Sequence, residues 1–216
     1  MSLYEIIKKG LDLSGLNLSQ KKIESLVFFS IEFKKWGSRM NLSALINNDE
    51  AMVEELFIDS LAPTVFFKNN SVKNSSLIDI GSGGGFPGIP LKIANPSINM
   101  ALTDSKTKKV YFMNHVIRCL SLEGIYAKKV RFAEKGINPD METKFDWAIA
   151  KAVADTDTLS VWAAHVLRTE GKLIVMKGIK EGVGKSYKNY SGPEKRSYFL
   201  PFSGIERNLY IYTKLQ

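Results

Sequence analysis

The chain of 216 residues is poor in cysteine and in long apolar runs. Its single cysteine, Cys119, cannot form an internal disulfide bond, which favours a reducing compartment such as the cytoplasm. No apolar run reaches the roughly eighteen residues that a transmembrane helix needs. The amino-terminal residues also lack the basic region, apolar block and cleavage site of a secretory signal. We therefore expect a soluble cytoplasmic protein, with a monomer as the default.

Acidic residues are outnumbered by basic ones, 22 against 30, which leaves a net charge of +8. This surplus favours a polyanionic partner, most commonly nucleic acid, although a lysine-rich surface without such a partner has the same composition. The placement of the basic residues adds support for nucleic acid, because many follow predicted strands or lie in one glycine-rich segment. They are Lys106, Lys108, Lys109, Lys128, Lys129, Arg131, Lys177, Lys180, Lys185, Lys188, Lys195 and Arg196.

Residues for metal binding and for acid–base catalysis are scarce. The two histidines, His115 and His165, lie within helical patterns, where a structural role is favoured over catalysis. No Cys, His and carboxylate group has metal-ligand spacing, so no metal site is predicted. Cys119 lies in an apolar helical pattern, which predicts a buried thiol rather than a nucleophile.

A glycine-rich segment is the most informative feature present. Residues 77–91 read LIDIGSGGGFPGIPL, which predicts a buried strand, a tight turn at Gly81, Gly83 and Gly85, and then a helix. The dinucleotide fingerprint requires a sixth-position glycine where Phe86 stands, so NAD and FAD are disfavoured. No Gly-Lys-Ser or Gly-Lys-Thr closes a phosphate loop either. The turn suits a nucleoside with a small zwitterionic tail, such as S-adenosylmethionine.

Asp104 ends a second predicted strand about twenty residues after the glycines. At that edge its carboxylate would accept hydrogen bonds from both ribose hydroxyls of a nucleoside. The alternative is that Asp104 only caps the helix that starts near Lys106. Asp79, just before the glycines, is predicted to stabilise the turn through backbone N–H groups rather than to touch the ligand.

Strand and helix patterns alternate after residue 70, which predicts an α/β fold with a mostly parallel seven-stranded sheet and helices on both faces. Strands are predicted at 77–80, 98–103, 125–129, 145–150 and 171–177, with helices at 87–94, 106–121 and 156–168. A final strand pair is predicted at 197–202 and 207–214, and residues 179–196 are predicted to be a loop.

The first seventy residues have helical patterns. Ser19 is positioned to cap a helix that ends near Gly37, and Asn48 or Asp49 to cap another. We therefore predict a helical extension over residues 1–70 and a sheet domain over residues 71–216.

These residues make the chain resemble the glucose-inhibited division protein B family, the small-subunit ribosomal RNA methyltransferase G proteins. The most specific match is the run from Asp79 to Leu91, with its Pro-Gly-Ile-Pro continuation. Further matches cover nearly the whole chain. They are Met40-Asn41-Leu42-Ser43-Ala44, Asp59-Ser60-Leu61, Asp104-Ser105, Lys108-Lys109-Val110, Phe112, Ala133-Glu134, Lys177-Gly178 and Arg207-Asn208-Leu209.

The resemblance implies a Rossmann-like, S-adenosylmethionine-dependent methyltransferase that modifies N7 of a guanine in 16S ribosomal RNA, free or in a partly assembled small subunit. It implies that Gly81 and Phe86 line the cofactor site and that Ala133 and Glu134 contact the adenine. Lys151 aligns with a family arginine placed against cofactor and substrate.

Two residues depart from the family pattern. Lys151 keeps the positive charge of the usual arginine but lacks its planar guanidinium group, which can donate two parallel hydrogen bonds. Leu56 replaces the usual histidine before Asp59. The residues alone are also consistent with Lys151 as a surface lysine and with Glu134 as the first residue of a helix.

Two other functions remain open at this stage. One is methylation of a small molecule or a protein, and the other is RNA binding by a non-catalytic relative. Tyr187 and Tyr190, interleaved with lysines, are candidates for stacking on RNA bases, whereas Trp36, Trp147 and Trp162 are expected to pack in the core.

Overall fold

One sheet of seven strands, in the order β3-β2-β1-β4-β5-β7-β6, organises the molecule. The computed structural model describes residues 1–40, 44–68, 74–132, 144–179, 187 and 189–216. The strands are β1 Ser76–Ile80, β2 Asn99–Asp104, β3 Ile125–Lys129, β4 Phe145–Lys151, β5 Leu167–Gly178, β6 Tyr190–Phe199 and β7 Glu206–Lys214. The first five run parallel, and β7 is antiparallel to both β5 and β6.

Eight α-helices accompany the sheet among the described residues. They are α1 Leu3–Leu13, α2 Gln20–Met40, α3 Asp49–Met52, α4 Asp59–Leu61, α5 Pro63–Lys68, α6 Gly88–Ala94, α7 Thr107–Cys119 and α8 Thr156–Val166. A π-helical segment, Val53–Ile58, joins α3 to α4. No helix in the described part of the chain is long and apolar enough to span a membrane.

Helices cover both faces of the sheet because successive strand residues alternate in direction. In β1, Leu77 packs into the core formed with α1, α2, α6 and α7. Its neighbours Ile78 and Ile80 pack on the opposite face, where α8 lies. The doubly wound, mostly parallel α/β fold predicted from the sequence is confirmed. The division at residue 70 stays a prediction, and apolar residues of α1 and α2 belong to the same core as the sheet.

Several predicted elements match closely, and three differ. Helix α2 continues through Gly37, because this glycine is buried where a Cβ atom would lie 2.9 Å from Cγ2 of Ile46. Strand β5 begins at Leu167, immediately after α8. Strand β6 begins at Tyr190 within the segment predicted to be a loop, because an exposed edge strand lacks apolar alternation.

Cys119 is exposed, so the prediction of a buried thiol was wrong. The buried residues Phe112, Val116 and Ile117 define the inner face of α7, and Cys119 lies outside it with Arg118. Asn48 caps α3 by accepting the Ala51 N–H at 3.1 Å, as predicted.

Candidate active site at the carboxyl edge of the sheet

The glycine turn follows β1 in a backbone conformation that only glycine adopts readily. Gly81, Gly83 and Gly85 have φ values of +72°, +58° and +94°. A Cβ atom at Gly81 would lie 2.5 Å from Cγ1 of Val153. Ser82 fixes the turn to β2, because its N–H donates to the Thr103 carbonyl at 2.8 Å.

Asp104 joins this turn to the start of α7. One carboxylate oxygen accepts the Gly83 N–H at 3.1 Å, and the other accepts the Lys106 N–H at 2.8 Å. Nζ of Lys109 lies 3.7 Å from the first oxygen. Asp104 therefore faces the glycines and also binds the backbone of Lys106, the N-cap residue of α7. No described side chain caps this helix through a hydrogen bond, so the alternative reading of Asp104 as its N-cap was wrong. A carboxylate has about four lone-pair sites, which leaves acceptor capacity for hydroxyl groups.

Asp79 is fully buried beneath the turn. It accepts the Gly88 N–H at 2.8 Å, while its other oxygen has no hydrogen-bond partner in the described part of the chain. Burial raises its pKa to about 8, although the Gly88 hydrogen bond and the positive charge of Lys151 lower it. Asp79 thus binds the backbone after the turn.

A cavity of about 340 Å³ opens at the ends of β1, β2 and β4. Because β2 and β4 lie on opposite sides of β1, this is the point where ligands bind in open α/β sheets. Its lining includes Gly81 and Asp104. The other lining residues are Ile80, Ser105, Lys106, Lys109, Val130, Arg131, Phe132, Ala152, Val153 and Trp162.

Two aromatic residues in this lining were not predicted as site residues. The rings of Phe132 and Trp162 lie 5.5 Å apart, tilted by 31°. The buried Trp162 Nε1 has no hydrogen-bond partner among the described residues. Trp162 belongs to α8, so it reaches the glycine turn only through the tertiary fold. In the sequence, its aromatic side chain was the only property that indicated a ligand contact.

Phe86 and Gly85 pack against the core on the side of the turn that faces away from the cavity. The Phe86 ring is buried, with ring centroids 5.0 Å from Phe29, 5.1 Å from Phe33 and 5.0 Å from Phe57. A Cβ atom at Gly85 would lie 2.5 Å from Cδ1 of Ile89. Both side-chain positions face the core rather than the cavity, so a cofactor contact by either would use the backbone.

Lys151 ends β4 beside a second, smaller cavity of about 160 Å³. Its Nζ lies 2.6 Å from Oδ2 of Asp59 and also donates to the Glu55 carbonyl. The other Asp59 oxygen accepts the Tyr198 hydroxyl at 2.5 Å. Burial and the Asp59 charge raise the pKa of Tyr198 well above its usual range, so the phenol stays protonated.

Ala152 lines both cavities, which makes it the point where they meet. Its φ of +53° is rare for a residue with a side chain. Lys177 and Arg207 add positive charge to the smaller cavity, and Glu55 adds one carboxylate. The smaller cavity thus suits a polar ligand with hydrogen-bond acceptors.

A larger cavity, of about 480 Å³, lies between the end of α1 and β6. Its lining is mainly apolar, with Leu16, Phe66 and Phe199 among the residues, and it contains no glycine turn. Asp59 is the one acid among the described residues that line it, and Tyr198 and Lys151 already bind this carboxylate. The strand-end cavity is therefore the better candidate site.

Several residues implicated by the sequence lie outside the part of the chain that the structure describes. They are Asn41, Leu42, Ser43, Ala133, Glu134, Lys180, Lys185 and also Lys188, which lies between the two candidate stacking tyrosines in the sequence. Of those tyrosines, Tyr190 is buried and its hydroxyl donates to the Ser160 carbonyl at 3.1 Å. Tyr187 is half-buried, with its ring 5.3 Å from that of Tyr212. Both pack inside the protein rather than facing RNA.

Comparison with known proteins identifies the family. The GidB family, described as rRNA small subunit methyltransferase G, matches residues 22–209. The chain belongs to this family. It is 34% identical to the Ribosomal RNA small subunit methyltransferase G of Acetivibrio thermocellus, covering 100% of this chain and 90% of that protein. The protein of the same name from a Geobacter species is 36% identical, over 82% of this chain and 78% of the relative.

Solved structures agree on the fold. TrmN from Thermus thermophilus superposes with a TM-score of 0.55 and 12% identity, over 72% of this chain and 49% of that one. The putative methyltransferase yhhF from Escherichia coli has a TM-score of 0.55 and 10% identity, over 73% of this chain and 86% of its own. At these identities the likeness concerns the Rossmann-like methyltransferase fold alone.

Proposed function

We propose that this protein is a cytoplasmic enzyme that transfers a methyl group from S-adenosylmethionine to N7 of a guanine in 16S ribosomal RNA. The observation that carries the proposal is the glycine turn facing Asp104 at the strand-order reversal, in a chain of the methyltransferase G family. The substrate follows from the name of the relatives, which act on small-subunit ribosomal RNA.

The residues of the strand-end cavity fit S-adenosylmethionine. Gly83 has open space on its side-chain face, because a Cβ atom there would have Lys109 Nζ as its nearest neighbour, at 3.6 Å. This face accommodates a ligand close to the backbone. Asp104 has acceptor sites left for the ribose hydroxyls, and the apolar face of Phe132 suits an adenine ring. Gly81 lines this cavity, and Gly85 and Phe86 hold the turn from the core side. We assign Ala133 and Glu134 to the adenine from the family pattern.

Methylation of guanine N7 needs no general base, because N7 is a lone-pair acceptor without a proton. The bound cofactor supplies an electrophilic methyl group on a sulfonium. The protein's task is therefore alignment of the guanine with that group. Neither His115 nor His165 lies in the described lining of the cavity, in agreement with this chemistry.

We assign the target guanine to the smaller cavity, beside Ala152. Lys151 has three N–H donors, of which two are used by Asp59 and the Glu55 carbonyl. The third has no acceptor among the described residues, so it can donate to guanine O6 and orient N7. A lysine gives one such contact, where the family's usual arginine would give two.

The experiment is methyl transfer in vitro, with radioactive S-adenosylmethionine and either naked 16S RNA or small subunits stripped to different stages of assembly. Nuclease digestion and mass spectrometry then locate the label. We expect one N7-methylguanosine per RNA on at least one substrate. Label on protein, label on another base, or cofactor binding without any transfer would each contradict the proposal.

A further inference from the structure

A second groove lies outside the catalytic cavities, between α2 and the exposed side of α7. It encloses about 480 Å³. The groove is lined by Trp36, Lys108, Tyr111, Asn114, His115 and Arg118. None of these residues lines either cavity of the candidate active site.

The spacing of the lining residues puts them on one helix face. Lys108, Tyr111, His115 and Arg118 follow one another at intervals of three or four residues, so they form a stripe along α7. The Tyr111 side chain is 66% exposed, so its ring is accessible to a ligand. The opposite face, including Phe112, is buried in the core.

Two of the rings that line the groove, Trp36 and His115, are held in place by contacts within the protein. The Trp36 indole lies 5.6 Å from the Phe112 ring and 5.2 Å from the His115 ring. Nε2 of His115 lies 2.7 Å from a carboxylate oxygen of Glu32. The Trp36 and His115 rings are thus already held by neighbours, so ordering these two side chains costs little conformational entropy when a ligand binds.

Positive charge stands at both ends of the stripe. Neither Lys108 nor Arg118 has a carboxylate partner within ion-pair distance in the part of the chain that the structure describes. The nearby acid Glu32 is engaged by His115 and by Lys35. Lys108 and Arg118 are ten residues apart, which is about 15 Å along a helix and matches a few nucleotides of backbone.

We propose that this groove binds an unpaired segment of the RNA substrate, with a base stacked on Tyr111 and Trp36 and with flanking phosphates on Lys108 and Arg118. The proposal rests on the RNA methyltransferase function above. Interleaved aromatic rings and uncompensated cations are the chemistry that single-stranded RNA selects, because bases stack and phosphates require charge. The stripe starts next to Lys109 of the cofactor cavity, so one RNA strand can reach both.

The stacking test compares three variants by fluorescence anisotropy with a labelled single-stranded oligonucleotide from 16S RNA. Tyr111→Ala should weaken binding about tenfold, the scale of one lost base stack. Tyr111→Phe keeps the ring and should bind like the wild type. Tyr126→Ala removes an exposed tyrosine on β3, outside the groove, and should also leave RNA affinity unchanged. Equal affinity for Tyr111→Ala and Tyr126→Ala would overturn the stacking.

The charge test measures RNA affinity against salt concentration for Arg118→Ala. One lost phosphate contact should reduce the log–log slope by about 0.7. Lys8→Ala, on the exposed side of α1, is the matched control and should keep the slope. An unchanged slope for Arg118→Ala would overturn the phosphate contact.

Activity separates this inference from the proposed function. If the wild type transfers methyl groups to 16S RNA but Tyr111→Ala keeps the KM for naked RNA, the groove proposal fails and the enzyme assignment stands. If Tyr111→Ala affects only assembled subunits, the groove contacts ribosomal protein and the RNA proposal is wrong. If the wild type transfers no methyl group but groove variants still lose RNA affinity, the enzyme assignment fails alone.

Discussion

At the scale of single residues, Gly81 shows how backbone and packing act together. Alanine there would have to adopt φ near +72° and place Cβ 2.5 Å from Val153. We expect Gly81→Ala to lower the free energy of unfolding by about 3 kcal/mol, from backbone strain and overpacking combined. Gly204→Ala is the control, because Gly204 has a φ of +66° with no atom within 4 Å of a built Cβ.

Urea unfolding of both variants measures the difference. The control should lose only the strain, about 1 kcal/mol. Adding Val153→Ala to Gly81→Ala should restore part of the loss, since it removes the clashing methyl groups. Equal losses at the two glycines would mean that the contact with Val153 does not constrain the turn.

Asp79 gives a pH prediction. Its pKa is raised from 3.8 to about 8 by burial, so between these values the folded protein binds more protons than the unfolded chain. The free energy of unfolding must then fall as pH rises through this window, by at most about 1.4 kcal/mol per pH unit. In Asp79→Asn this contribution is absent. Urea unfolding of both proteins from about pH 5 to about pH 8 should show the wild type losing stability relative to the variant; parallel curves would show that Asp79 does not titrate there.

Asp59 is the residue that holds Lys151. Its side chain is 5% exposed and that of Lys151 is 15% exposed, so removing the acid leaves a poorly hydrated cation. Asp59→Asn should cost about 3 kcal/mol of stability, and Asp59→Asn with Lys151→Met should recover much of it. The single variant should also lower kcat for methylation while S-adenosylmethionine affinity stays near the wild-type value. Additive stability losses in the double variant would show that the two residues do not interact.

The glycines and Asp104 were predictable at this scale because their chemistry is local: a turn after a strand and an acid at the next strand end. The Asp59 partners were not. Lys151 and Tyr198 lie 92 and 139 residues away along the chain, and no spacing rule joins them. Phe86 was assigned to the cofactor site by resemblance, and its ring lies instead among Phe29, Phe33 and Phe57.

At the scale of elements, the π-helical segment and the β6–β7 turn are joined through Glu54. This buried carboxylate accepts the N–H groups of Phe202 and Ser203 with one oxygen. Glu54→Ala should cost about 2 kcal/mol, because two donors lose their acceptor, whereas Glu54→Gln keeps the acceptor oxygen. Hydrogen exchange at Phe202 and Ser203 should accelerate in the alanine variant alone; unchanged protection would place the stabilising contacts elsewhere.

Elements with strong periodicity were predictable, and those fixed by tertiary contact were not. Strands β1 to β4 and helices α6 to α8 matched within a few residues, since buried parallel strands are short apolar runs. Strand β6 has an exposed, polar sequence and exists because it pairs with β7. Helix α2 passes Gly37 because Ile46 packs against it, which outweighs the helix-ending tendency of glycine.

At the scale of the whole molecule, the fold builds three surfaces that serve the proposed function: a cavity for the cofactor, a smaller cavity lined by Lys151, Lys177 and Arg207, and an aromatic, basic groove on α7. The net charge of +8 predicted a polyanionic partner, but the locations of these surfaces depend on contacts between distant elements. Trp162 reaches the cofactor cavity from α8, and Trp36 reaches the groove from α2.

The most direct test of the central claim is calorimetric titration of the purified protein with S-adenosylmethionine, repeated for two valine variants. The wild type should bind, and Gly83→Val should lose at least about tenfold in affinity because the side chain fills the open face of the turn. Gly204→Val carries similar backbone strain outside the lining of the cavity and should bind like the wild type. A wild type that ignores S-adenosylmethionine, or a Gly83→Val variant that binds it equally well, would contradict the account.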